Sequence, residues 1–348
     1  MYKEHKKYRR VFGIIKTNET EKEGVAMNRK ACIIGGETHL SEITGCIGKG
    51  IDLVAVSVNE DIYNKHFKQY GIPNYRNADA MPENHALDLA GIANENDLKF
   101  ETVQKCMTRG MDVVVDKPLC ITRNEQAEIE KTVSRLKKDI IMLLTLRGNP
   151  SYMAVKECMD KKMIGEPVHC HIRMSVQLKK EQRPPWFLDV NRSGGMFLDL
   201  LIHGIDALEW MTGLKIQSIL ARTGNIGYEN EVNLRNHASM YCELSNGGTA
   251  VIEGQRMLPQ TKGSDYRVMI AGTQGVLDMD MAAGTVFCTN QESVGMKVPL
   301  PERMSVVETW LKGSPIVNTE HSLRANRIAV IATESAITGK KIVIDDSF

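Results

Sequence analysis

From residue 29 onward, short apolar runs alternate with amphipathic stretches, and the two periods sort into strands and helices. Residues 30–36, 51–58, 86–93, 111–115 and 139–145 read as buried strands, the fourth almost purely β-branched. Helical stretches at 40–48, 61–70, 96–109 and 122–136 separate them, with Gly71 and Gly110 as stops and Thr122 as a cap. Strands alternating with helices over this length predict a doubly wound parallel sheet. The pattern changes near Arg147–Pro150. A helix at 150–162 is followed by a long alternating strand at 167–178. A helix at 194–213 comes next, then closely spaced strands at 215–223, 236–244, 248–257, 266–272, 275–280 and 284–289. Short turns such as Ser245-Asn246-Gly247-Gly248 join them, which predicts an antiparallel or mixed sheet. A helix at 322–338 carries a stripe of small residues and is capped by Gly339. A strand at 341–344 closes the fold. The fold class is α/β, with a dinucleotide-binding type of domain at 27–147 and an α+β domain at 148–348.

Residues 1–26 are polar and charged and lack any apolar period, so they read as disordered or as a non-native extension. Glu21-Lys22-Glu23-Gly24 precedes Met27 and is what a purine-rich bacterial ribosome-binding sequence encodes, so the expected start is Met27. The 348 residues are 42% hydrophobic and 25% charged, as in an ordinary soluble protein. Lys+Arg 44 against Asp+Glu 43 leaves no field for nucleic acid or an anionic membrane. No apolar run approaches the roughly 20 residues of a membrane span. The eight cysteines are scattered with no C-x-x-C pair, which suits reduced thiols in the cytoplasm. His169 and His171 share one face of a strand. They read as surface or cleft histidines, and no metal site is expected.

Two stretches carry chemistry. Gly194-Gly195 feeds the 194–213 helix, on which Asp199, His203 and Asp206 are spaced to share a face. A carboxylate one turn before a histidine can orient the imidazole and favour its protonated form, as in a general acid/base. The competing reading is a core helix with a satisfied histidine. The second stretch, Asp116-Lys117-Pro118-Leu119, follows a buried strand. It puts Lys117 at the carboxyl end of the parallel sheet, where ligands bind in such folds. The loop after the first strand, Gly35-Gly36-Glu37-Thr38-His39-Leu40, keeps only the first glycine of G-x-G-x-x-G in register. Thr38 or Ser41 is expected to cap the helix that follows, whose N-terminus would receive phosphate. The second strand ends Asn59-Glu60-Asp61. An acidic side chain there binds a ribose diol and repels a 2′-phosphate, which favours NAD over NADP.

With both stretches placed, the sequence resembles the glucose-fructose oxidoreductase/inositol dehydrogenase (Gfo/Idh/MocA) family over about residues 29 to 345. Val113-Val114-Val115-Asp116-Lys117-Pro118-Leu119 resembles its Glu-Lys-Pro motif, with Asp116 for the usual Glu. Gly194-Gly195, Asp199, His203 and Asp206 resemble its Gly-Gly…Asp-x-x-x-His-x-x-Asp block. Leu146-Arg147-Gly148-Asn149-Pro150 resembles its interdomain Arg segment, Trp186 lies where a Trp often precedes the glycines, and residues 332–343 resemble its ending. Ala93-Asn94-Glu95-Asn96 departs from the family's Ala-Thr-Pro-Asn.

The resemblance implies a Rossmann domain followed by a large open, mostly antiparallel sheet that forms homodimers or homotetramers. It also implies NAD(P)-dependent hydride transfer at a hydroxyl of a sugar, polyol or related small molecule. On this reading His203 is the base, Asp199 orients it, and Lys117 supports the developing alkoxide. The cofactor is expected to meet Gly35, Gly36, Thr38, His39, Asn59, Glu60, Asn94, Asn96, Asp116 and Lys117. The substrate is expected to meet Arg147, Trp186 and Asp206. The alternatives are an NAD-dependent glycosidase and a non-catalytic binder or regulator.

Overall fold

The computed structural model describes residues 28–36 and 39–345. The expected extension 1–26, together with Glu37 and Thr38, lies outside the described residues. Five parallel strands make the first sheet: β1 (Arg29–Gly35), β2 (Ile51–Ser57), β3 (Leu89–Ala93), β4 (Asp112–Val115) and β5 (Ile140–Met142). Their order is β2-β1-β3-β4-β5. The central β3 is buried at all five positions, which is why it reads as an unbroken apolar run. Gly35 ends β1 at φ +74, and a Cβ there would lie 2.5 Å from the backbone of Asn94, so the chain leaving β3 passes too close for any larger residue.

The helix Arg123–Leu136 starts at a capping box, with Thr122 and Glu125 satisfying each other's backbone N–H groups. The first helix is shorter than its apolar pattern suggests: Leu40–Thr44, followed by turns with Gly48 and Gly50 at positive φ. His39, not Ser41, holds its N-cap position, and Thr38 lies outside the described residues. His39 adopts a left-handed backbone and makes no side-chain cap, while Ser41 sits inside the helix. Short helices at Ala78–Ala80, Met81–Asn84 and Val306–Leu311 went unmarked by the periodicity, being too short to display a face.

The second sheet has nine strands: β6 (Pro167–Val176), β7 (Ile216–Gly224), β8 (His237–Leu244), β9 (Thr249–Gln255), β10 (Ser264–Gly272), β11 (Gly275–Asp280), β12 (Thr285–Asn290), β13 (Met296–Lys297) and β14 (Ile342–Val343). They run β13-β12-β11-β10-β6-β9-β8-β7-β14, with β6 and β9 parallel and every other pair antiparallel. One face buries Cys170, Ile172, Met174, Met240 and Ile252. The helix Ile202–Thr212 lies on it through Gly204, where a Cβ would sit 3.0 Å from Ile252 and Met174. The other face is open and exposes Tyr241, Met269, Val276 and Phe287.

Residues 305–326 cross back onto the parallel sheet. Glu42 accepts the Val306 N–H at 3.0 Å, and the Ser322 hydroxyl accepts the Met142 N–H at 2.9 Å, closing the free edge of β5. No helix among the described residues is long and apolar enough to cross a membrane. All eight cysteines are free and buried.

Candidate active site

The carboxyl ends of β1, β3 and β4 open into a cavity of about 330 Å³ facing the second sheet. From the first domain it is lined by His39, Asn94, Asn96, Lys99, Asp116 and Lys117. From the second come Arg183, Trp186, Asp199, His203, Arg256 and Tyr266. Lys117 and His203 therefore meet in one cleft although 86 positions separate them in the chain.

Asp199 is the electrostatic centre. One carboxylate oxygen accepts from Lys117 Nζ at 2.5 Å, and the other accepts from the guanidinium of Arg256. All three side chains are close to fully buried. Burial alone raises a carboxyl pKa, but the Lys117 and Arg256 charges and the Lys117 hydrogen bond outweigh it and hold Asp199 below the usual range. Asp116 behaves alike. Its burial is offset by the bond from His39 Nδ1 (2.7 Å) and by the Lys99 and Lys117 charges, so it too stays ionised. His203 is buried, with its ring edge-on to His39 at 6.3 Å between centroids. Burial first, then the Lys117 charge, lowers its pKa to about 3, so the imidazole is neutral. Its Nδ1 is buried and has no partner among the described residues.

This corrects the expected orienting role of Asp199: it does not hydrogen-bond His203, because both its oxygens are taken by cations. Its charge still raises the His203 pKa, but burial and the Lys117 charge outweigh it. Asp199 lies in a π-helical turn, Phe197–Leu201, that precedes the α-helix proper beginning at Ile202, and both it and His203 line the cleft.

Arg147 and Asp206 are also not in the cleft. Arg147 donates to both Asp206 oxygens at 2.7–3.2 Å, and both side chains are 4% exposed, in a separate packing site beside Trp210. Trp186 does line the cleft, with its buried indole N–H unpartnered among the described residues. Asn96 is spent on structure, donating to the Ser193 carbonyl at 2.8 Å and accepting from Lys99 at 2.8 Å. Asn94 donates to Thr102 at 2.9 Å and leaves a buried carbonyl oxygen at the end of β3 without a partner among the described residues. Asn59 caps the helix Glu60–Ile62 through the Ile62 N–H, and Glu60 is exposed beside it. Gly35 and Gly36 end β1 near the cleft. His169 and His171 lie on β6, away from the cleft. His169 Nδ1 lies 2.9 Å from the Thr249 hydroxyl and His171 pairs with Glu253 at 3.2 Å.

Four ionisable cleft residues escaped the sequence reading: Lys99, Arg183, Arg256 and Tyr266. Two had a signal. Ala250, Ile252 and Gly254 face inward on β9, so Arg256 falls on the same parity and places a charge on a buried face. Lys99 shares the buried stripe of Asn96, Val103 and Cys106 on its helix. Arg183 lies in a connecting segment with no periodicity to mark it.

A parallel nucleotide-type sheet whose carboxyl edge faces an open antiparallel sheet across a lysine, carboxylate and histidine cleft defines the class of two-domain Rossmann oxidoreductases. Residues 33–143 match the oxidoreductase family with an NAD-binding Rossmann fold, and residues 152–278 match the GFO/IDH/MocA C-terminal domain. The chain belongs to the GFO/IDH/MocA oxidoreductase family. It is 24% identical over 210 residues to inositol 2-dehydrogenase of Rhizobium meliloti (strain 1021), covering 58% of this chain and 60% of that protein. It is 23% identical over 248 residues to myo-inositol 2-dehydrogenase of Thermotoga maritima, covering 69% and 71%. The match to the first thus spans under two thirds of that relative's length. Among solved structures, myo-inositol 2-dehydrogenase of Lactobacillus plantarum superposes with a TM-score of 0.75 at 22% identity, covering 91% of this chain and all of that one. An inositol dehydrogenase homolog complexed with NAD+ from Azotobacter vinelandii superposes at 0.78 with 14% identity, covering 92% and 98%. At these identities the likeness establishes the fold.

Proposed function

We propose that the chain is an NAD-dependent dehydrogenase acting on a CH–OH group of a polyol, sugar or related small molecule. The observation that carries this reading is the convergence of Lys117, Asp199 and neutral His203 on one cavity at the carboxyl edge of the parallel sheet. NAD, when bound, supplies the hydride acceptor. The cleft fits such a group: the Asn94 carbonyl oxygen at the end of β3 is a buried acceptor with no donor among the described residues, and Gly35 keeps the neighbouring backbone bare.

His203 lines the cavity and takes the hydroxyl proton on its one unprotonated nitrogen, and the Asp116 and Asp199 charges favour the imidazolium that forms. Lys117, fixed by Asp199, offers its ammonium to the oxygen as negative charge develops there. Arg256 holds the far side of Asp199, so Lys117 keeps one position without a ligand. Asp116 and His39 sit beside Lys117 on the cofactor's side, with Asn94 and Asn96. Trp186 walls the substrate side. The exposed Glu60 after β2 supports NAD over NADP. The names of the inositol dehydrogenases above support a cyclic polyol or similar hydroxyl compound. The apolar open face of the second sheet supports a homodimer or homotetramer, and eight buried free thiols support the cytoplasm. A non-catalytic binder has no use for Lys117 and His203 together, which favours catalysis over that alternative.

The test is calorimetric titration with NAD and NADP, followed by NADH formation across a panel of inositols, sugars and sugar acids. NAD affinity above NADP affinity, with turnover of at least one hydroxyl compound, is the expected result. No nucleotide binding, or binding without turnover of any class, overturns the reading.

A further inference from the structure

Four fixed cations line the cleft, Lys99, Lys117, Arg183 and Arg256, against two carboxylates, Asp116 and Asp199. Lys117 and Arg256 share the single charge of Asp199. Lys99, bonded to Asn96 and to the Lys117 carbonyl, adds its charge beside Asp116. The cleft therefore keeps surplus positive charge on its second-domain wall, and Arg183 is where that charge has no partner.

Arg183 is half-buried. Its Nε donates to the Leu178 carbonyl at 3.2 Å, and its guanidinium stacks 4.2 Å from the Phe187 ring centroid. Arg256 lies over the same ring at 4.9 Å. Among the described residues Arg183 has no carboxylate within ion-pair distance, so its remaining N–H donors are unspent. It is thus preorganised by a ring and a carbonyl, and the charges that reach it are the Arg256 guanidinium and the Asp199 carboxylate that Lys117 and Arg256 already hold. Tyr266 lines the same wall. Burial pushes its ionisation up to about 12, so it adds no opposing anion. A neutral polyol would leave this guanidinium unanswered in a partly desolvated cleft, whereas a planar oxyanion matches its fork with two parallel bonds.

We propose that the substrate is a polyhydroxylated carboxylic acid and that Arg183 seats its carboxylate while the hydroxyl to be oxidised faces Lys117 and His203. This rests on reading the cleft as the dehydrogenase site. The same oxyanion chemistry is carried by the cofactor's phosphates, so the test separates the two sources.

Calorimetry on the NAD-loaded full chain compares D-gluconate with D-glucitol and D-glucuronate with D-glucose. The acids should bind roughly 10–100-fold tighter than their neutral counterparts. Arg183→Met should abolish that preference, and Arg183→Lys, which keeps the charge without the fork, should restore part of it. Equal affinity for acid and neutral probe, no binding of either acid, or a preference that survives Arg183→Met overturns the proposal. A tenfold or larger loss of NAD affinity in Arg183→Met, measured without substrate, assigns the oxyanion to the cofactor and also overturns it. Acid binding that depends on Arg183 but yields no NADH sinks the hydride-transfer reading and leaves the carboxylate subsite standing.

Discussion

Arg147→Met should unfold this protein more readily than any conservative change in the cleft. Arg147 sits in the turn Thr145–Gly148 between the two sheets. Its Nε donates to both oxygens of Asp206 at 2.9 and 3.2 Å, its Nη2 to Oδ1 at 2.7 Å, and its Nη1 to the Ile316 carbonyl at 2.9 Å. Both partners are 4% exposed, so neither charge has water to fall back on. Removing one member of such a pair strands the other and costs about 3–5 kcal/mol. For a domain of this size that is a fall in Tm of about 6–20 °C. Asp206→Leu should cost a similar amount. Arg147→Met combined with Asp206→Leu should recover most of the loss, because two apolar side chains of similar volume replace a buried ion pair at nearly neutral cost. The assay is thermal and urea unfolding of the four proteins, closed as a double-mutant cycle. Single substitutions costing under about 1 kcal/mol, or a double variant whose loss equals the sum of the singles, would refute the argument. The same proteins bear on function. Since the pair lies outside the cleft, KM for any turned-over substrate, measured well below the melting transition, should stay near its original value.

Lys117→Met and His203→Ala should each lower turnover by roughly 10²–10⁴-fold in NADH assays, with NAD affinity hurt more by the first; full activity in either would remove that residue from catalysis. Asp199→Asn should lower kcat by loosening Lys117. Arg256→Met added to it should lower kcat little further, because the carboxylate they share is already gone; additive losses would show that the two act separately. Burial holds His203 neutral with a pKa of about 3, against about 6.5 in the unfolded chain. The unfolded state therefore binds more protons between those values, and stability should fall as pH drops through that window by up to ~1.4 kcal/mol per unit. His203→Gln should flatten the slope between about pH 6.5 and pH 4, above the range where Asp116 and Asp199 lose their contribution. An unchanged slope would mean His203 is solvated.

Most of the architecture was legible in the chain because it rests on burial. The parallel strands are apolar throughout, the strands of the second sheet alternate, and glycines mark the helix ends at Gly213 and Gly339. Lys117 and His203 were legible because strand ends and helix faces fix where such residues point. What failed was finer than periodicity. Nothing in the sequence shows that the folded chain brings Lys117 and Arg256 to the Asp199 carboxylate, so its hydrogen bonds were assigned to His203. Arg147 and Asp206 look like ligand contacts in sequence, because nothing there tells a buried cation with a private counterion from one awaiting substrate. Arg183 carries the opposite lesson: it is inconspicuous in sequence and becomes informative only when the folded chain fails to give it a partner.

The meeting of Lys117 with Asp199 is itself a consequence of contacts outside the cleft. Lys117 belongs to the parallel sheet and Asp199 to the helix that packs on the other. Asn96 binds the Ser193 carbonyl, Arg192 pairs with Asp97 and Glu95, and Asn326 accepts the Leu119 N–H. Trp310 donates to Asp139, and Arg29 stacks on the same indole at 4.4 Å. Arg147 and Asp206 close the set at the far end. Several of these links are buried, and together they fix the orientation of one sheet against the other before any ligand arrives. Preorganisation of that kind suits a site in which two cations share one carboxylate, because drawing the walls apart would part Lys117 from Asp199. The carboxylate between Lys117 and Arg256 thus does two jobs: it aims the lysine, and it holds the arginine against the lysine's charge.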